Sequence, residues 1–175
     1  MKKILVVVDM QNDFIDGALG SKEALAIVDN AVRKIEDFDG DIIVTYDTHE
    51  NDYMESREGR FLPVPHCIKG TEGHLLNSVI QKSLSQKHYK EIEKPTFGSV
   101  ELVEYIKDKY DTNNTEIEFI GLCTDICVVS NVMLVKANFP EMNVYVDASC
   151  CAGVTPEKHN AAIETMKSCQ VEIRE

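Results

Sequence analysis

The segment "FIGLCTDICVVS", residues 119–130, sets Cys123 and Cys127 four positions apart, where an apolar run gives way to polar residues. A thiol in the first turn of a helix that follows a strand meets unpaired backbone N–H groups and the positive end of the helix dipole, and both favour thiolate. The same N–H groups can hold an oxyanion. "TDIC" reads as such a turn, with Thr124 or Asp125 as the cap and Cys127 in the first helical turn. Cys123 then lies in the turn itself, where its backbone can complete the hole. Asp9, at the end of "KILVVVD", can act as a general base toward a thiol. Lys94, before "PTFGS", can hold carboxylate and thiolate by its charge. Plainer readings stand beside these. Buried cysteines often act as small hydrophobes, an aspartate at a strand end often caps a turn, and most lysines are solvated.

A second group lies in "DTHENDYMESREGRFLPVPH", which offers Asp47, His49, Glu50, Asp52, Glu55, Glu58 and His66. Asp47 and His49, two apart at a strand end, can point to the same side. With His66 they make a mixed nitrogen and oxygen set that suits Zn²⁺, Mn²⁺ or Fe²⁺. An acidic, solvated loop with incidental histidines fits the same residues. His74, His88 and His159 have no partners at ligand spacing, and surface or capping roles are expected for them. Cys150 and Cys151 are expected in a loop near the site, as vicinal thiols open to oxidation.

The elements that must position these residues follow from hydrophobic periodicity. Strands are predicted over 3–9, 41–47, 87–94, 115–121, 143–148 and 170–174, and helices over 22–38, 74–84, 99–110, 126–138 and 156–168. Ser99 and Thr155 are the expected N-caps of two of the helices, with Pro156 at a first helical position. Strands alternating with helices imply a three-layer α/β/α fold with a six-stranded, mainly parallel, Rossmann-like sheet. Ligands bind such sheets at the carboxyl ends of the strands. That rule puts Asp9, Asp47, Lys94, the 121–127 segment and Asp147 on one edge. Residues 47–72 show little periodicity, and a loop of that length in a compact domain points to function. The chain reads as one domain over 1–175, without repeats or linker.

Composition excludes several classes. Hydrophobic residues at 43% and charged residues at 27% fit a globular protein. With 18 basic and 30 acidic residues, net −12, the chain lacks the basic face that nucleic acid requires, and an anionic membrane surface is disfavoured as well. The apolar run in "MKKILVVVDMQND" stops at Asp9, too early for a signal peptide, and no stretch reaches the ~18 apolar residues of a membrane span. The six cysteines show no C-x-x-C pair or zinc-finger spacing. Free thiols and a cytoplasmic location are expected.

Taken together, "VVVDMQNDFIDGALG", "DTHE", "PHCIKGTEG", "KPTFGS", "GLCTDICV" and "DASCCAG" make the chain resemble the isochorismatase-like cysteine hydrolases, and within them the nicotinamidase/pyrazinamidase group. The resemblance runs nearly end to end. It implies a triad of Asp9, Lys94 and Cys127, a cis peptide entering Cys123, and an oxyanion hole from the backbone N–H groups of Cys123 and Cys127. It also implies a divalent metal on Asp47, His49 and His66, with Phe14 lining the substrate pocket. Many members carry another histidine in the metal loop, but none lies between His49 and His66 here. Glu58 stands at the closest spacing for a carboxylate ligand instead, with Glu55 second. Pro63 occupies the commonest position of a pocket aromatic, with Phe61 and Leu62 adjacent. The implied activity is hydrolysis of nicotinamide to nicotinate and ammonia through a thioester. Competing readings are a hydrolase of another amide, a carbamoyl group or a vinyl ether, and a metal- or redox-responsive module without catalysis. A small-molecule amide is the expected partner, and the fold admits a homo-oligomer.

Overall fold

The computed structural model describes residues 1–175. Its sheet has six parallel strands: β1 (Lys2–Val8), β2 (Asp41–Asp47), β3 (Tyr89–Lys94), β4 (Thr115–Leu122), β5 (Asn143–Ala152) and β6 (Glu172–Arg174). Their order is β3-β2-β1-β4-β5-β6, so the chain winds outward from β1 to one edge and from β4 to the other. A crevice opens where the winding reverses, above the carboxyl ends of β1 and β4.

The eight helices are α1 (Asn12–Ile15), α2 (Lys22–Ala26), α3 (Val28–Asp37), α4 (Arg57–Phe61), α5 (Ser78–Leu84), α6 (Val100–Lys109), α7 (Val129–Asn138) and α8 (Pro156–Ser168). Central strand β1 shows why the sheet is covered on both faces. Ile4 through Val8 are all fully buried, and their side chains alternate between two cores. Ile4, Val6 and Val8 pack with Leu102, Val132 and Ile163 of α6, α7 and α8. Leu5 and Val7 pack with Ala31 and Ile35 of α3 and Ile80 of α5. A continuous apolar run is what a strand buried on two sides requires.

Several elements differ from the sequence expectation. The helix expected over 22–38 breaks at Ile27, and Ser21 caps the first piece by accepting from the Ala24 N–H. The break lets both Ile27 and Val28 turn into the core. The helix expected over 74–84 begins at Ser78, where Asn77 caps it, and His74 belongs to a separate 3₁₀ turn. Strand β5 runs to Ala152 rather than 148. Cys150 and Cys151 are therefore buried on opposite faces of a strand, one in each core, and not in a loop. Asp147 likewise sits inside β5, bonded to Lys34 of α3, away from the edge on which it was expected. β6 starts two residues late because Gln170 adopts a left-handed φ of 66° and the Val171 N–H closes α8 on the Met166 carbonyl. The 47–72 segment contains a 3₁₀ turn at Tyr53–Glu55 and then α4, whose cap Ser56 accepts from the Gly59 N–H. Ser99 and Thr155 cap α6 and α8 as expected. No helix is long and apolar enough to cross a membrane.

Candidate active site

The carboxyl ends of β1, β2, β3 and β4 bring Asp9, Asp47, Lys94 and the Cys123–Cys127 segment together. The register aligns Val8 with both Thr45 and Gly121, and Asp47 with Lys94. Two backbone features shape the crevice. Asp9 takes a left-handed φ of 49°, tolerated by aspartate, just after β1. Gly121 has a φ of 117°, and a Cβ there would collide with the Val8 carbonyl. Only glycine lets β4 approach β1 so closely one residue before the cis Leu122–Cys123 bond.

The Lys94 ammonium is the hub. Its Nζ lies 2.6 Å from Asp9 Oδ2, 3.4 Å from Asp47 Oδ1 and 3.4 Å from Cys127 Sγ, and it donates to the Thr96 carbonyl at 3.1 Å. The side chains of Asp9 and Lys94 are fully shielded from solvent. Asp9 Oδ1 also accepts from the Thr45 hydroxyl at 2.6 Å. Burial disfavours the ammonium, but Asp9, Cys127 and Asp47 outweigh it and hold the Lys94 pKa above its ordinary value. Burial raises the Asp9 pKa against the opposing pull of Lys94.

Thiolate was expected at Cys127 from its position near a helix start. Burial opposes this. Burial pushes the thiol pKa well above its ordinary value, Asp9 pushes the same way, and Lys94 only partly opposes them. The sulfur lies 3.4 Å from the Lys94 ammonium, which also contacts the Asp9 carboxylate at 2.6 Å. The expected cap also differs. Residues Thr124–Val128 form one π-helical turn, led by Cys123 with no side-chain cap, whose carbonyl accepts from the Ile126 and Val128 N–H groups. Such turns recur at functional sites. Thr124 pairs with His159 Nδ1 at 2.8 Å, and Asp125 accepts from the Val154 N–H at 2.9 Å. His159 thus braces this turn from α8 and is not a surface residue without partners.

Asp47 connects this hub to a second one. Its Oδ2 lies 2.9 Å from His49 Nε2 and 3.4 Å from His66 Nε2, and Glu58 Oε1 lies 3.6 and 3.7 Å from the same two nitrogens. One donor atom from each of the four residues falls within 4.8 Å of the others. Glu55 is exposed and outside the cluster. His66 Nδ1 faces the Val64 carbonyl at 2.8 Å, which turns Nε2 toward the cluster, the usual support of a metal-ligating histidine. Burial raises the Asp47 pKa, but the two histidines and Lys94 overcome it and hold the carboxyl far below its ordinary range. Burial and the Asp47 charge raise the Glu58 pKa. Two imidazoles and two carboxylates crowded in this way fit a divalent ion, whose charge relieves the repulsion between the acids.

Gln11 and Tyr53 complete the cluster. The Gln11 amide is fully buried and reads both backbone groups of Asp47, accepting from its N–H at 2.8 Å and donating to its carbonyl at 2.9 Å. It donates also to the His74 carbonyl, and His74 is itself buried and bonded to Thr48, in contrast to the expected surface role. Tyr53 packs edge-on against both His49 and His66.

Between thiol and metal cluster lies a cavity of about 630 Å³. Cys127, Cys123, Asp47, Glu58 and His66 line it, with Phe14, Leu122 and Ile126 as apolar wall. Phe14 is buried edge-to-face against His66. Phe61 stands at the mouth with 84% of its surface exposed, beside Leu62 at 38%. Phe97 also lines the mouth, whereas Pro63 does not.

A family model described as the isochorismatase domain matches residues 3–175. The chain belongs to the isochorismatase family. It is 30% identical over 174 residues to an uncharacterized isochorismatase family protein, PncA, of Bacillus subtilis, covering 93% of each. Among solved structures it resembles a nicotinamidase/pyrazinamidase PncA from Bacillus subtilis, with a TM-score of 0.87 and 27% identity over 100% of both chains. It also resembles a pyrazinamidase of Pyrococcus horikoshii in complex with zinc, with a TM-score of 0.80 and 26% identity over 99% of this chain and 98% of that one. Within this isochorismatase-family chain, sequence reasoning missed Gln11, Tyr53, Phe97 and the role of His159. "DMQND" placed Gln11 beside Asp9, but nothing in it showed an amide reaching the backbone of Asp47.

Proposed function

We propose that the protein hydrolyses nicotinamide to nicotinate and ammonia, with Cys127 as nucleophile, Asp9 as general base and acid, and Lys94 as the charge that holds both. The observation that carries the reading is the Lys94 ammonium, set between a buried carboxylate at 2.6 Å and a buried thiol at 3.4 Å, with the thiol lining a cavity that Asp47, Glu58 and His66 of the metal-type donor set also line. Its similarity to a nicotinamidase structure over the full chain supports the substrate.

Asp9 takes the Cys127 proton as sulfur attacks the amide carbonyl carbon. The C=O electron pair moves onto oxygen, where the backbone N–H groups of Cys123 and Cys127 stabilise it by about 3 kcal/mol per donor. Lys94 stays protonated and offsets the charge passing between sulfur and Asp9. Collapse breaks the C–N bond, and ammonia leaves with the proton returned by Asp9. Asp9 then takes a proton from water, which attacks the thioester. Nicotinate departs, and the thiol is restored. Asp47, His49, Glu58 and His66 would hold one divalent ion, zinc, manganese or iron, which supplies a Lewis-acid anchor for the ring nitrogen of the substrate. Phe14, Phe61 and Leu62 enclose the ring. The six free cysteines fit a cytoplasmic protein.

The test is ammonia release from nicotinamide by zinc-loaded protein. Turnover that stops on chelation and returns with metal supports the reading. Protein that binds the metal and leaves nicotinamide intact removes nicotinamide as the substrate.

A further inference from the structure

Asn131 of α7 is fully buried and is no part of the triad, the metal cluster or the cavity wall. Its side chain bonds to the backbone of Cys127 and to the segment that runs from Lys94 to the start of α6. Oδ1 accepts from the Ser99 N–H at 2.9 Å, and Nδ2 donates to the Cys127 carbonyl at 2.8 Å and to the Phe97 carbonyl at 3.2 Å. Ser99 and Phe97 belong to the segment that leaves Lys94, and the Thr96 carbonyl of that segment accepts from the Lys94 ammonium. One amide therefore ties the backbone of the nucleophile to the loop wrapped around its neighbouring cation.

We infer that Asn131 is a positioning residue that sets the spacing between Lys94 Nζ and Cys127 Sγ and, through Phe97, the wall of the cavity mouth. A satisfied core amide that serves stability alone is the competing reading. Against it, α7 packs into an otherwise apolar core beside Val132 and Val135, where an apolar side chain would avoid the cost of burying an amide. The three bonds also reach one catalytic backbone and one catalytic loop rather than joining distant parts of the core. The inference rests on the proposed roles of Cys127 and Lys94.

Asn131→Ala and Asn131→Asp test it, because the aspartate keeps the acceptor for Ser99 and loses both donor arms. Val135→Ala, one turn further along α7, is the control for loosening the helix without touching the tether. Three quantities are read for each variant: melting temperature, kcat and KM for nicotinamide, and the rate at which iodoacetamide labels Cys127, followed by peptide mass. A misplaced catalytic pair costs about 10- to 100-fold in rate. Both Asn131 variants are expected to lose kcat on that scale and to label Cys127 at a changed rate, while Val135→Ala melts earlier but keeps both rates within about twofold. If Asn131→Ala does not fold, Asn131→Asp carries the test alone. Folded Asn131 variants with kcat and labelling within about twofold of the parent would overturn the inference. Labelling needs no substrate, so it still reads the tether if nicotinamide proves the wrong amide. If the buried Cys127 of the parent does not label, kcat and KM carry the test.

Discussion

At the scale of single residues, the site is an exercise in burying charge without stranding it. Lys94 is one cation facing Asp9 and Asp47, and each acid has a further partner, Thr45 for the first and the two histidines for the second. Glu58 is the carboxylate with the least support, since its nearest neighbours in the cluster are His49, His66 and the like-charged Asp47. Its place fits the proposed ion. Glu58→Gln keeps the shape and removes the charge, and we expect zinc affinity to fall by at least about 10- to 100-fold, read by competition with a chelating dye. Unchanged affinity would take Glu58 out of the ligand set. Asp9, Lys94, Cys127, Asp47, His49 and His66 were legible because each has a reactive side chain at a predicted strand end or in the one long aperiodic segment. The burial of Cys127 was not, because position near a helix start can be read from a sequence but the packing that encloses the sulfur cannot. Gln11, His159 and the proposed tether Asn131 were hidden for a related reason, since each bonds a partner 32 or more residues away.

At the scale of elements, close approach at the reversal of the sheet matters more than any one helix. Gly121 lies beside the Val8 carbonyl, directly before the segment that carries Cys123 and Cys127. Gly121→Ala forces a side chain into a left-handed backbone and against β1. It should cost roughly 1–3 kcal/mol or more in urea unfolding and lower turnover, because the strand must shift just before the proposed oxyanion donors. Wild-type stability in that variant would show that β4 can relax without strain. β1, β2 and β4 were legible from apolar runs, and α8 was legible to the residue from Thr155 and Pro156. The break at Ile27 and the π-helical turn at Thr124–Val128 were not. Both depend on which face the core accepts, and neither carries a glycine or proline to announce it.

At the scale of the molecule, acidic charge is organised as well as abundant. Remote from the site, Lys34 of α3 bridges Asp147 at 2.6 Å and Glu118 at 3.0 Å, and Arg174 of β6 closes on Glu118 at 2.9 Å, fastening helix to sheet. Burial raises the Asp147 pKa, but the Lys34 and Ser149 hydrogen bonds prevail and leave it below the ordinary 3.8. A lowered folded pKa means stability fully present above about pH 4 and lost as the pH falls through the folded value. Asp147→Asn should therefore flatten part of the acid limb of a stability–pH curve and lower stability at pH 7, and an unaltered acid limb would deny the network that role. Metal should act on the whole fold too, since an ion that binds only the folded state adds about 2.7 kcal/mol at a hundredfold excess over its dissociation constant. The central claim, however, concerns one sulfur. The most direct measurement is ammonia release from nicotinamide by the zinc-loaded protein beside its Cys127→Ala variant, with metal content and melting temperature recorded for both. The account predicts turnover in the parent and none above background in a variant that is folded and holds the same metal. Turnover retained by folded Cys127→Ala would contradict it.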